Sequence, residues 1–136
     1  MTLVIDASVA CKWFLPEIGS EVADKVLTTE ELVAPELIYC EVGNILWKRI
    51  RSGELSPDEA DTVMAKFLSV PFVLADSRVL ARSALAIAAR FGRTFYDSMY
   101  LALAVARSTV LVTADERMVN SLAATELAGH VRLLGT

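Results

Sequence analysis

Four carboxylates, Asp6, Glu41, Asp97 and Asp115, are the residues of this 136-residue chain whose types and placement could do chemistry together. Each has an ordinary explanation taken singly. Asp6 and Asp115 could cap helices, Asp97 could be the returning partner in a capping box opened by Thr94, and Glu41 could pair with Lys48 or with an arginine on a neighbouring helix. Taken together they enter one apolar fold from the ends of strands, where four anions repel one another and each is costly to bury. Something positive must then sit between them. Lys12 and Arg93 are the nearest basic residues in sequence, yet neither forms a fixed ion-pair pattern, and an all-oxygen donor set suits Mg²⁺ or Mn²⁺ rather than Zn²⁺. Such a site can polarise a phosphoryl oxygen, lower the pKa of water and steady a leaving oxygen, with one ion or two and without a nucleophilic side chain. The chemistry expected is hydrolysis of a phosphodiester.

The elements that must position these acids alternate between short apolar runs and helical periods. Leu3-Val4-Ile5 reads as a buried strand that stops at Asp6. A break is expected after Leu15-Pro16, followed by a helix capped by Ser20. Leu32-Val33-Ala34 is a second strand, with Pro35 in the first turn of a helix over 36–52 that Gly53 stops. Ser56-Pro57-Asp58-Glu59 opens the next helix with a capping box. Phe72-Val73-Leu74 is a third strand, and Asp76 or Ser77 caps a helix that runs to Gly92. Thr94 caps a helix that is apolar nearly all round from Met99 to Ala106 and so should be central. Val110-Leu111-Val112 is a fourth strand, Asp115 opens a helix, and residues 131–134 could add an edge strand. Strands alternating with helices predict an α/β fold, a mostly parallel sheet of four to five short strands flanked by helices in one domain. Ligands of such sheets bind beyond the carboxyl ends of the strands, where Asp6 and Asp115 fall. Asp97 then lies in the first turn of the apolar helix, and Glu41 shares a helix face with Leu37, Asn44 and Lys48.

Composition bounds the alternatives. The charged fraction of 22% and the spread of aromatic residues exclude a disordered chain, while a mean hydropathy of +0.47 points to apolar surface covered by a second copy or a partner. The longest uncharged stretches, 67–75 and 98–106, are too short to cross a bilayer, and the N-terminus lacks the basic and long apolar regions of a signal peptide, so a cytoplasmic location is expected. Cys11 and Cys40 have no CxxC partner and read as small buried hydrophobes, and His130 as a surface or loop residue. A net charge of −4 argues against a broad basic face, so any nucleic acid must be met locally. Trp13 and Trp47 could stack on bases, receive a partner helix or serve the core, and Met99 and Tyr100 fall at core spacing.

The chain resembles the PIN-domain ribonucleases, and within them the VapC toxins of prokaryotic toxin–antitoxin pairs. The residues that carry the likeness are Val4-Ile5-Asp6-Ala7-Ser8, Glu41 with Asn44, the segment from Thr94 to Ala104 (Thr-Phe-Tyr-Asp-Ser-Met-Tyr-Leu-Ala-Leu-Ala), and Thr113-Ala114-Asp115. The resemblance implies a Mg²⁺- or Mn²⁺-dependent endoribonuclease whose acidic site is Asp6, Glu41, Asp97 and Asp115, with Asp6 and Asp97 the most direct ligands. Ser8, Thr113 and Asn44 would be supporting residues, the two hydroxyls orienting a carboxylate or a water. It further implies a homodimer, an RNA substrate and an inhibiting VapB-type antitoxin. Lys12, Arg93 and Arg117 are the candidate phosphate contacts, on proximity in sequence. A receiver domain would want an acidic pair after strand one and a lysine after the last, and a haloacid-dehalogenase-type phosphatase would want Asp-x-Asp where Ser8 stands. A catalytically silent PIN-like module that binds RNA or protein would have lost acids, and none is lost.

Overall fold

The computed structural model describes residues 2–15 and 19–136. Five short strands, β1 (Thr2–Ile5), β2 (Glu31–Pro35), β3 (Val73–Ala75), β4 (Leu111–Thr113) and β5 (Val131–Leu133), form one sheet in the order β3-β2-β1-β4-β5 with every pairing parallel. The chain walks outward from β1 to β3, then crosses back to β4 on the other side of β1. That reversal opens a crevice beyond the carboxyl ends of β1 and β4. Leu3, Val4, Ile5, Leu32, Val33, Ala34, Leu111 and Val112 are all buried, as strands covered on both faces must be.

Among the described residues seven α-helices make the crossovers: α1 (Ala7–Phe14), α2 (Ser20–Thr29), α3 (Leu37–Arg51), α4 (Pro57–Leu68), α5 (Ser77–Phe91), α6 (Phe95–Ala106) and α7 (Glu116–Leu122). Their ends follow local chemistry. Ser56 and Glu59 close a reciprocal capping box at α4, and Gly92, at φ 69°, ends α5 in the left-handed conformation and turns the chain towards Arg93 and Thr94. The apolar helix α6 is central: it is buried from Ser98 to Ala104 and packs on β1, β2, β4 and α5. Among the described residues no helix is long and apolar enough to cross a membrane.

Several expectations move. A helix, α1, follows Asp6 directly, so the capping reading of Asp6 holds alongside any other. Gly19 at φ 89°, not Ser20, precedes α2, and the Ser20 hydroxyl donates instead to the Leu15 carbonyl. The expected break at Pro16 lies outside the described residues. Pro35 ends β2 opposite Ala75 rather than opening α3, because a strand terminus spares it a ladder donor. Strands β3 and β4 lie one residue later than expected, which places Thr113 inside β4. Trp13 serves the core, stacking on Phe72 with its indole N–H donating to the Ala23 carbonyl. Cys11 is buried as expected, whereas Cys40 is exposed on α3.

Candidate metal centre

Asp6, Glu41, Asp97 and Asp115 line one cavity of about 200 Å³ at the β1–β4 crevice, together with Ser8, Ile45, Tyr100 and Met118. Four elements deliver them. Asp6 is the last residue before α1, and its Oδ1 accepts from the Val9 backbone N–H at 3.2 Å and the Ser8 hydroxyl at 2.6 Å. Ser8 in turn accepts from the Ala114 N–H at 3.0 Å, and Thr113 Oγ1 accepts from the Asp115 N–H at 3.1 Å. Two hydroxyls therefore tie the end of β1 to the β4–α7 corner. Asp115 caps α7 through the Met118 N–H, and the Thr94 hydroxyl caps α6 by accepting from the Asp97 N–H. The carboxylate of Asp97 does not complete that capping box, since its Oδ2 turns to Arg93.

Arg93 corrects the expectation that no basic residue is fixed among the acids. Its Nη2 stands 2.9 Å from Asp97 and 3.8 Å from Asp115, and Nη1 reaches the Ser121 hydroxyl at 3.4 Å. The guanidinium thus occupies the Asp97–Asp115 side of the cavity. Among the described residues no basic side chain is seen paired with Asp6 or Glu41. Burial raises the Asp6 carboxyl above the usual range against the pull of Ser8, Thr113 and the Val9 N–H. Burial also raises Glu41, and the charges of Asp6 and Asp97 add to the push. Glu41 Oε1 is buried without a hydrogen-bond partner. The Tyr100 hydroxyl lies close enough to Glu41 to oppose the rise, yet it stays outside hydrogen-bond geometry and is likewise unpartnered.

A buried carboxylate oxygen with no donor, beside a second buried carboxylate, is the donor set of a hard cation. The fit is chemical and not preassembled. Among the described residues no three acidic, histidine or cysteine groups already stand at joint ligating distance. Two of the four acids, Asp97 and Asp115, are instead held by Arg93.

The PIN domain family model matches residues 3–122. The chain belongs to the PIN-domain family. Within it, Ribonuclease VapC3 of Pyrobaculum aerophilum is 36% identical over 122 residues, covering 87% of this chain and 92% of its own length, which places the chain in the VapC branch. The crystal structure of PAE2754 from Pyrobaculum aerophilum superposes with a TM-score of 0.73 at 29% identity, over 96% of this chain and 83% of that one. A toxin–antitoxin complex from Klebsiella pneumoniae shares the fold at a TM-score of 0.64 and 17% identity, over 96% and 95%.

The remaining candidates scatter around this PIN-domain centre. Asn44 lies one turn beyond Glu41 and lines the adjoining cavity, not the carboxylate one. Lys12 and Arg117 line neither: Lys12 runs along Gly19 at the α1–α2 turn, and Arg117 is exposed on α7, turned about 100° from the cavity-lining Met118. His130 Nδ1 meets the Thr109 carbonyl before β4, at the opposite end of the strands from the acids. Core spacing hid Tyr100, whose body is buried as expected but whose hydroxyl faces the site. Its place three residues after Asp97 on α6 was the available signal.

Proposed function

We propose that this chain is the toxin of a toxin–antitoxin pair, a Mg²⁺- or Mn²⁺-dependent endoribonuclease that hydrolyses RNA phosphodiester bonds at Asp6, Glu41, Asp97 and Asp115. The observation that carries the reading is the convergence of four carboxylates on one crevice, with Asp6 buried and a buried oxygen of the half-buried Glu41 unpartnered. The name of the Pyrobaculum relative, a ribonuclease, supports the nuclease, and the Klebsiella complex, whose name is toxin–antitoxin, supports an antitoxin as partner.

In this reading Asp6 and Asp97 are the direct ligands, and Glu41 and Asp115 complete the acidic shell directly or through water. A bound Mg²⁺ or Mn²⁺ supplies charge that polarises the phosphoryl oxygen and eases deprotonation of water. Ser8 and Thr113 hold Asp6 and the Asp115 backbone in register across two strands, so the carboxylates are fixed before substrate arrives. Arg93, paired with Asp97 in the metal-free protein, would be the guanidinium nearest an incoming phosphate if Asp97 held a cation instead. Glu41 and Asp115, which line the same cavity, would accept a proton from the attacking water, whose oxygen bonds to phosphorus as the P–O ester bond breaks and the leaving oxygen takes up a proton. The protein acts in the cytoplasm as a homodimer under control of a VapB-type antitoxin.

One observation favours a second reading, a silent RNA- or protein-binding module: Arg93 already neutralises the Asp97 side. Cleavage of defined single-stranded RNAs by purified protein decides between them. Cleavage with Mg²⁺ or Mn²⁺, abolished by EDTA and by Asp97→Asn, supports the nuclease. Metal-independent cleavage, or full activity in Asp97→Asn, refutes the mechanism.

A further inference from the structure

The carboxylate cavity does not end at Glu41. That residue and Ile45 also line a larger cavity of about 550 Å³ with Asn44, Lys48 and Tyr96, and Lys48 lines a third recess with Arg51 and Ser52. Each shares a lining residue with the next, so the three lie in series along α3, a groove that follows the helix from the acids towards its C-terminal end. Helical spacing explains it: residues 41, 45, 48 and 52 fall on one face of α3, and from Glu41 to Arg51 the groove advances about 15 Å along the helix axis.

Its chemistry changes along the way from anionic to cationic and aromatic. Lys48 and Arg51 face the recess, Tyr96 stands 59% exposed, and Trp47, 50% exposed, carries the Arg51 guanidinium 4.9 Å from its ring centroid. In a chain of net charge −4, positive charge gathers here, beside the cavity of the four acids. We propose that this α3 groove is the track for a single-stranded segment of the RNA substrate, with Lys48 and Arg51 on backbone phosphates and the Arg51–Trp47 platform under an unpaired base. Single strands suit it, since flat side chains stack only on bases free of a duplex, and stacking on aromatic or arginine planes is tolerant of sequence. The larger cavity is partly apolar, with Leu37, Cys40 and Ile45 on its wall, but the recess beyond it is lined by Lys48, Arg51 and Ser52, which offer phosphates a partner and a peptide no apolar pocket.

The track rests on the RNA-cleaving function proposed above, and the test separates the two. Fluorescence anisotropy of a labelled single-stranded RNA of about ten nucleotides is measured in EDTA, where cleavage is off, against full-length protein. Lys48→Ala and Arg51→Ala should each weaken binding by roughly five- to tenfold and each lower the salt slope by about 0.7, while Lys48→Arg restores it. Trp47→Ala should weaken binding about tenfold with little change in salt slope. Arg107→Ala is the control, because Arg107 pairs with Glu31 at the amino end of β2, away from the groove. Thermal melts establish that every variant is folded. If the α3 variants bind RNA no more weakly than Arg107→Ala, the track is wrong, and a protein partner is the occupant to seek. If binding depends on α3 as expected but Mg²⁺ and Mn²⁺ bring no cleavage, the track stands and the nuclease reading falls.

Discussion

Replacing Arg93 with glutamine should make the protein bind metal more tightly. The guanidinium Nη2 is 2.9 Å from Asp97 and 3.8 Å from Asp115, and at an effective dielectric near 20 these separations correspond to roughly 6 and 4 kcal/mol of gross attraction. Most of that is offset by desolvation and screening, because the three side chains remain 19%, 28% and 41% exposed. The net hold is about 1–2 kcal/mol, above a fully exposed pair and below a fully buried one. A divalent ion must displace it to use Asp97. Isothermal titration with Mn²⁺ at low salt should therefore give Arg93→Gln an affinity about 5- to 30-fold higher than the parent, while Arg90→Gln, whose partner is the exposed Glu126, changes nothing. The same variant in EDTA should be less stable, since two carboxylates lose their counter-charge, and Mn²⁺ should restore it. Equal or weaker Mn²⁺ binding by Arg93→Gln would refute the competition.

Three further outcomes follow from the same geometry. For Asp6, a folded pKa raised above the ordinary 3.8 means its stabilising contribution is present in acid and lost as pH climbs through the raised value. Urea unfolding in EDTA should accordingly show stability declining above about pH 4, and Asp6→Asn, which keeps an oxygen for the Val9 N–H, should flatten that decline and stabilise the metal-free protein at neutral pH. Ser8→Ala removes a donor to Asp6 and an acceptor for the Ala114 N–H, so it should cost about 1–3 kcal/mol in chemical denaturation and lower cleavage roughly 10- to 100-fold. Ser56→Ala should cost about 1 kcal/mol through loss of the α4 cap and leave cleavage unchanged in the same assay.

The fold was legible wherever one local signal dominated. Strand β1 stops at Asp6, α4 begins at its capping box, and the all-round apolar character of α6 announced its central place. Errors of a residue arose where a strand edge is set by its neighbour: β4 includes Thr113 because it pairs with Leu133, a partner no local pattern names. The four acids could be picked out because they follow strand ends or lie near helix starts, positions a parallel sheet brings together. Their counter-ion could not. Arg93 looks like a residue between two caps until α5 and α6 fold together and α7 brings Asp115 to its other side. Tyr100 was hidden for a different reason, since a residue can be buried by its ring and still turn its hydroxyl to the acids, and periodicity registers only the ring. Cys40 was misplaced because apolar neighbours in sequence lie on other faces of α3. Lys12 shows the converse error, proximity in sequence taken for proximity in space.

If Asp6, Glu41, Asp97 and Asp115 together hold a divalent cation, anomalous scattering from crystals grown with Mn²⁺ will locate it among them. A peak is expected in the crevice beyond β1 and β4, within direct ligating distance of Asp6 and Asp97, with the Arg93 guanidinium displaced from Asp97. A Mn²⁺ peak elsewhere on the protein, with the crevice empty and Arg93 still paired to Asp97, would contradict it.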